Sequence, residues 1–195
     1  MKGESGHSNA FVSKGKLVIY DSLFEHIRER SHMMAIIRHE MGHAIFNHIP
    51  KITILRIVYY DLFFIGMAFA VYYKKYWLPM FGINYNSVFL ALFVVMQFLH
   101  FRIFYYCYNI AEHAVQRKFE FMCDDYSAKH GGDDGAIDIA NALSIIFYKN
   151  KLDYYTDPLY SVVKNHHPTL QERVDTLMRY PMPEKNRPPK IQKAH

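Results

Sequence analysis

Two histidines separated by three residues are the strongest chemical signal in the sequence. His39 and His43 lie in the stretch RHEMGHAIFNH (38–48), and Glu40 directly follows the first of them. On an α-helix, positions four apart share a face, so both imidazoles can bind one metal ion. Neutral imidazole is a good ligand for Zn²⁺, and a glutamate beside the ligands can act as general base toward a water at the metal. The spacing therefore predicts a helix that carries a hydrolytic site with one Zn²⁺ per chain.

A solvated helix with unrelated histidines is the alternative interpretation of this stretch. The chain has 12 histidines, and a third one, His48, follows in the same segment. The surrounding residues are apolar rather than charged, as a water-excluding metal site requires, and Gly42 and Ala44 keep the helix narrow. Because a catalytic zinc needs a third protein ligand, the metal interpretation depends on a ligand elsewhere in the chain.

The composition indicates a membrane-associated protein rather than one that binds nucleic acid. Of the 195 residues, 51% are hydrophobic and 16% aromatic, and the formal net charge is +5. No zinc knuckle, RNA-binding aromatic motif or clustered basic helix indicates binding to DNA or RNA. The two cysteines predict no disulfide framework.

We predict a peptidase domain over 1–183 and a basic disordered tail over 184–195.

Two long apolar segments predict a transmembrane helical hairpin. Residues 52–73 and 86–110 are each long enough to cross a bilayer, which takes about 20 residues. The connection contains KKYWLPM (74–80), whose Lys, Tyr and Trp are typical of a membrane interface. A pair of very apolar helices buried in a soluble domain is the alternative.

The other elements are predicted to be helices with little or no sheet, so the predicted fold class is mainly α. Residues 1–16 are predicted to be loop, and a short strand is predicted at 16–20. The predicted helices are 25–49, 111–132, 133–150 and 166–180. Within the second of these, Glu120 and Asp124 are four apart and share a face. Spacing alone does not distinguish a zinc ligand with a supporting carboxylate from a solvated acidic face.

Several motifs in a fixed order resemble the zinc-dependent type 1 CAAX prenyl proteases. The motifs are GHSNAF, KLVIYDSLF, RHEMGHAIFNH, RKFEFMCDDYSAKHG and NHHPTLQERVDTL, with the apolar hairpin between the third and the fourth. The resemblance runs from Ser8 to Met178. Members of that family carry further membrane spans before the part matched here. The chain therefore resembles their C-terminal catalytic portion.

The resemblance implies a role for each matched residue. The three zinc ligands fall on His39, His43 and Glu120, and the general base falls on Glu40. The carboxylate that supports a ligand histidine falls on Asp124. Two residues beside the tetrahedral intermediate fall on His167 and Arg173, and a substrate contact falls on Asn9. Three alternatives remain open. His166 can replace His167, His167 can simply cap a helix, and Arg173 can form a surface ion pair with Glu172 or Asp175.

The resemblance also implies a fold and a function. The expected protein has zincin-like metalloprotease helices with the two-helix transmembrane hairpin. It is a zinc endopeptidase that removes the last three residues of a prenylated CAAX protein. The implied location is the membrane of the endoplasmic reticulum or nuclear envelope, as a multi-pass protein. The implied partners are the prenylated protein or peptide, the lipid bilayer and transmembrane helices from another chain.

Two other functions compete with this one. An HtpX-like quality-control protease would use the same zinc motif on misfolded membrane proteins, and the segments HSNA and FEF favour the CAAX type instead. A catalytically inactive membrane scaffold is the alternative outside the proteases. Loss of a metal ligand or of the general base would favour it, and all four of these residues are present.

Overall fold

The structure, a computed structural model, describes residues 10–13, 16–84 and 89–180. The contact predicted at Asn9 and the tail predicted over 184–195 lie outside these ranges. Within them the backbone is mainly helical with almost no sheet, which confirms the mainly α fold class. The strands and α-helices, in chain order, are β1 (Ala10–Ser13), β2 (Lys16–Ile19), α1 (Asp21–His26), α2 (Arg30–Ile45), α3 (His48–Tyr72), α4 (Lys74–Trp77), α5 (Phe89–Leu99), α6 (Tyr105–Lys129), α7 (Gly135–Lys149), α8 (Pro158–Lys164) and α9 (Leu170–Leu177).

A two-stranded antiparallel hairpin precedes the helices. β1 pairs with β2 so that Ala10 lies opposite Ile19 and Ser13 opposite Lys16. The prediction of a loop over 1–16 was therefore wrong for β1, because pairing with β2 rather than a pattern of its own makes this segment a strand. β1 also contacts α2, and Ala10 is buried in one apolar cluster with Ile36 of that helix.

The helix predicted over 25–49 is divided into three. α1 ends at His26, α2 carries the histidine pair, and α3 begins at His48. Between α2 and α3, Asn47 has φ 54°, a left-handed conformation that asparagine tolerates better than most residues and that commonly ends a helix. Pro50 lies in the first turn of α3, where an N–H has no helical partner. The chain therefore turns sharply directly after the histidine motif.

α3 is long and apolar enough to cross a membrane, and its apolar stretch is not buried inside the chain. Within the described part of the chain, α3 is the one helix that is both long enough and apolar enough to cross a membrane. The second predicted span, 86–110, begins among residues outside that part. From Phe89 onward it is helical, and α5, a π-helical turn (His100–Phe104) and α6 follow one another without interruption. The helices predicted separately at 86–110 and 111–132 therefore join into one.

Polar contacts near the start of α6 hold the two helices of the hairpin together. The hydroxyl of Tyr59 on α3 is 3.0 Å from Nδ1 of His100. One turn earlier in α3, Nε of Arg56 donates to Oε1 of the buried Glu112 at 3.1 Å. These contacts bring polar side chains of α3 against those of the helix that runs from α5 into α6.

The apolar core beneath the functional site joins α2, α6, α7 and α9. Its buried members are Ala35, Ala128, Ile139, Ala140, Leu143, Phe147, Leu170 and Leu177. The buried hydroxyl of Ser127 on α6 donates to the backbone oxygen of Ala35 on α2 at 2.7 Å. α7 agrees with the helix predicted at 133–150. The last predicted helix, 166–180, is shorter than expected, so His167 lies in the loop before α9.

Replacing Thr169 with alanine is expected to lower the free energy of unfolding by about 1 kcal/mol. Thr169 and Glu172 form a reciprocal capping box at the start of α9, in which each side chain bonds to the backbone N–H of the other residue. Urea denaturation in detergent measures the loss. Thr176→Ala in the same helix is the matched control. Because alanine has the higher helix propensity and Thr176 is not at a cap, that control should be neutral or slightly stabilising. Equal losses in both variants would contradict a capping role.

Candidate metal centre and active site

α2 and α6 approach each other closely beside the histidine pair. A Cβ atom at Gly42 would lie 3.1 Å from Sγ of Cys123 and 3.3 Å from its Cα atom. These separations are tighter than ordinary van der Waals contact, so only glycine fits without displacing α6. The narrow helix predicted at Gly42 is confirmed, and it brings the face of α2 that carries the two histidines against α6.

The Nε2 atoms of His39 and His43 form a triangle of nearly equal sides with the carboxylate of Glu120. The Nε2 atoms of His39 and His43 are 3.3 Å apart. Each lies 3.5 Å from a different oxygen of Glu120. Around a tetrahedral Zn²⁺ with bonds of about 2.0–2.1 Å, two ligand atoms are about 3.3 Å apart. The donor types and their spacing therefore fit a zinc ion.

A buried carboxylate orients the first histidine. Nδ1 of His39 donates to Oδ1 of Asp124 at 2.9 Å. Once Nδ1 carries the proton, Nε2 has its lone pair free for a metal, which is the arrangement that zinc-binding histidines ordinarily show. Glu120 and Asp124 are 6% and 1% exposed, so the interpretation of these two residues as a solvated acidic face was wrong.

Arg173 of α9 joins both carboxylates. Its Nε and Nη2 atoms donate to Oδ2 and Oδ1 of Asp124 at 2.8 and 2.6 Å, and its Nη1 atom is 3.3 Å from Oε2 of Glu120. The side chain is buried. The alternative of a surface ion pair with Glu172 or Asp175 was therefore wrong. A fork-shaped guanidinium that bonds two carboxylates fixes the relative position of α6 and α9.

The loop before α9 places His167 rather than His166 at the candidate ligands. Nδ1 of His167 donates to Oε1 of Glu120 at 3.0 Å, and 57% of its side chain is exposed. The ring of His166 packs instead between the rings of His113 and His167, with centroid distances of 6.0 and 4.4 Å. Of the two histidines, His167 is therefore the one in direct contact with a predicted metal ligand.

Burial and neighbouring charges shift the pKa values of the candidate base and ligands. Burial raises the pKa of Glu40 to about 7, which suits a group that accepts and returns a proton near neutral pH. Burial lowers the pKa of His43 to about 4, so its imidazole is neutral, as a ligand requires. At Glu120, burial opposes ionisation, but hydrogen bonds from His167 and His39 hold the pKa well below its usual value.

Cys123 is a second candidate for the third ligand. Its Sγ atom, with one ring nitrogen each of His39 and His43, belongs to a group of donors that lie within 4.8 Å of one another. Burial raises the pKa of this thiol, however, and zinc binds the thiolate. Because the carboxylate of Glu120 faces both Nε2 atoms at equal distance, Glu120 is the better candidate.

The sequence analysis did not connect His48 with the site. Nδ1 of His48 lies 3.1 Å from Nδ1 of His43, and its ring stacks on Phe119 with a centroid distance of 3.9 Å. In one unbroken helix, His48 would point away from the face that carries the histidine pair. The left-handed turn at Asn47 brings it back, so only a correct helix boundary after Phe46 would have revealed it.

The candidate site opens into a cavity of about 750 Å³. His39, Glu40, His43, Glu120 and His167 line one side of it. An apolar wall from α7 lines another side and consists of Ile139, Leu143, Ile146 and Phe147. An open cavity with an apolar wall beside a cluster of charged groups can hold an extended peptide with the reacting bond at the polar end.

Comparison with known proteins identifies the class. The sequence model of peptidase family M48 matches residues 2–180, so the chain belongs to this peptidase family. The family implies a metal cofactor, and the donor set described above fits one.

Within that family the chain is similar to proteins named CAAX prenyl protease 1. It is 31% identical over 175 residues to the homolog from Arabidopsis thaliana, covering 87% of this chain and 40% of that protein. It is 28% identical over 192 residues to CAAX prenyl protease 1 from Saccharomyces cerevisiae, covering 89% of this chain and 41% of that protein. The chain thus spans about two fifths of the length of these curated relatives.

A solved structure shows the same fold. The crystal structure of S. mikatae Ste24p superimposes with a TM-score of 0.68 at 24% sequence identity, covering 88% of this chain and 42% of that one. Together with the family match, this confirms the resemblance to the C-terminal region of the type 1 CAAX prenyl proteases.

Replacing Gly42 with alanine is expected to weaken zinc binding about tenfold, because the added methyl group pushes the histidine pair away from α6. Competition with a chelator of known affinity measures the change. Gly66→Ala in α3 is the matched control, since a Cβ atom there meets nothing within 4 Å. Adding Cys123→Ala removes the sulfur atom and should recover part of the lost affinity. Loss of zinc from Cys123→Ala alone would instead identify the thiol as a ligand.

Proposed function

We propose that this chain binds one Zn²⁺ through His39, His43 and Glu120 and hydrolyses peptide bonds there. The triangle of two Nε2 atoms and one carboxylate, with sides of 3.3–3.5 Å, carries the proposal. Its position at the wall of an open cavity gives a peptide access to the ion. Membership of a peptidase family supports the same chemistry.

Each neighbouring side chain has a distinct part in the proposed reaction. The bound ion supplies positive charge that polarises the scissile carbonyl and makes a water more acidic. Glu40 takes the proton of the attacking water and returns it to the leaving amine, for which a pKa of about 7 is well placed. His167, held by Glu120 at the cavity wall, donates a hydrogen bond to the oxyanion. Asp124 and Arg173 keep the ligands in place.

The substrate that we propose is a prenylated CAAX protein or peptide, which loses its last three residues. Support comes from the names of the relatives and from the apolar α7 wall of the cavity, which suits aliphatic residues. We further propose a multi-pass location in the membrane of the endoplasmic reticulum or nuclear envelope, with α3 as one span. Further transmembrane helices, from the same polypeptide or from another chain, are proposed as neighbours of this region, because it matches 40% of the relative's length.

Mass spectrometry of peptide products tests the substrate class directly. Protein purified in detergent is incubated with a farnesylated CAAX peptide, the same peptide without the lipid, and an unfolded membrane protein. We expect release of the C-terminal tripeptide from the farnesylated peptide only, with about one Zn²⁺ per chain by elemental analysis. Cleavage of the unfolded protein without lipid dependence would support the quality-control protease. Zinc without any cleavage would mean that the site forms but that further helices are needed to hold the substrate, and absence of zinc would favour the scaffold.

A further inference from the structure

One face of α6 contacts the segment that carries His167 at successive helical turns. Arg117, Glu120 and Asp124 lie at spacings of three and four, so they share this face. Glu120 contacts the side chain of His167, and Asp124 contacts Arg173. Arg117, which the sequence analysis did not single out, is buried one turn before Glu120.

Arg117 donates hydrogen bonds to α8, to the loop that follows it and to α9. Its Nη1 atom donates to Oγ of Ser161 at 2.8 Å and to the backbone oxygen of His167 at 3.3 Å. Its Nη2 atom donates to Oε1 of Glu172 at 2.6 Å. The other oxygen of Glu172 accepts from the backbone N–H of Thr169 at 2.8 Å. One guanidinium group therefore connects the middle of α8, the loop and the start of α9.

His167 is consequently held to α6 at two points. Arg117 bonds its backbone oxygen, and Glu120 bonds its Nδ1 atom, from adjacent turns of the same helix. A backbone contact fixes the position of the loop, and a side-chain contact fixes the direction of the ring. Because 57% of the side chain is exposed, these two contacts and the neighbouring ring of His166 are what hold the ring of His167.

We propose that Arg117 is a positioning residue that holds His167 in its place beside the metal ligands. The proposal rests on the proposed function only for its effect on catalysis. Arg117 touches the loop and α9, and it is not among the residues that line the cavity. Its effect on the reaction is therefore exerted through His167. A merely structural role, in which Arg117 stabilises α8 and α9 without regard to His167, is the competing explanation.

Arg117→Lys is the variant that distinguishes these roles. Lysine keeps the positive charge opposite Glu172, but its single ammonium group lacks the fork that reaches the loop at the same time. Arg56→Lys is the control, since Arg56 also pairs with a glutamate, Glu112, and its hydrogen bonds go to that residue rather than to the loop of His167. Bound zinc should be unchanged in both variants.

A double-mutant cycle with His167→Ala gives the kinetic test. We expect Arg117→Lys to lower kcat about 10–100-fold with KM little changed, as for a misplaced catalytic group. In the His167→Ala background the same substitution should have almost no further effect, because the group that it positions is already gone. An equal loss of kcat in both backgrounds would overturn the proposal.

Hydrogen–deuterium exchange supplies a readout that does not depend on activity. In Arg117→Lys we expect faster exchange of the backbone amides of 165–169 and unchanged exchange of α2. Unchanged exchange of 165–169, or equally faster exchange in α2, would overturn the proposal. A wild-type protein that cleaves no peptide would contradict cleavage by this chain alone, and the exchange comparison would still decide whether Arg117 positions this loop.

Discussion

Replacing Glu40 with glutamine is expected to slow peptide cleavage by about 10²–10⁴-fold while about one Zn²⁺ per chain remains bound. The three candidate ligands are His39, His43 and Glu120, and Glu40 stands outside their triangle. Glutamine has nearly the same shape but accepts no proton at neutral pH. Since a general base contributes about 10²–10⁴-fold, kcat should fall by that factor.

Two measurements on the same preparation check this result. Elemental analysis gives the zinc content, and the rate of tripeptide release from a farnesylated peptide gives kcat. Glu25→Gln on the exposed side of α1 is the matched control and should leave both unchanged. Loss of zinc from Glu40→Gln would show that Glu40 supports the metal itself. Full activity would show that another group takes the proton.

Replacing Arg173 with methionine is expected to lower the free energy of unfolding by about 3–5 kcal/mol, the range for a buried charge that loses its partner. Arg173 is the shared cation of two buried carboxylates, Asp124 and Glu120. Its own pKa is raised by their charges despite burial, so the guanidinium is ionised at any working pH. Without it, Asp124 keeps its hydrogen bond from His39, and Glu120 keeps its contacts with His167 and His39.

The zinc dependence of this loss distinguishes a charge effect from a packing effect. Denaturation is measured in detergent, once with a chelator and once with saturating zinc. The loss should be smaller with zinc, because the ion neutralises the charge of Glu120. Arg179→Met, on the exposed end after α9, is the matched control and should change stability by no more than about 0.5 kcal/mol. An equal loss with and without zinc would mean that Arg173 acts by packing alone.

Prediction from the sequence was most accurate where a short-range pattern has a single geometric meaning. Residues four apart on a helix share a face whatever surrounds them, so placing His39 and His43 together needed no tertiary information. α7 lies within the helix predicted at 133–150, since glycines precede it and asparagine ends it. The apolar composition of 52–73 likewise predicted the long exposed helix α3.

Prediction was least accurate where a contact with a distant segment decides the conformation. β1 is a strand because β2 pairs with it, and its own residues show no alternating pattern. The helix predicted over 25–49 is divided because Asn47 adopts a left-handed conformation, which spacing does not reveal. The π-helical turn at 100–104 joins α5 to α6, where separate helices were predicted.

The sequence by itself determined the histidine pair, the adjacent glutamate and the predominance of helix, because these depend on residue type and helical period. Which carboxylate meets the histidines was known only through a family resemblance. The tertiary structure decided that Glu120 and Asp124 are buried, that His167 rather than His166 contacts Glu120, and that Arg173 joins both carboxylates. His39 and Arg173, at the two ends of this set, lie 134 positions apart in the chain. Only the packing of α2, α6 and α9 on a common core brings them within hydrogen-bonding distance.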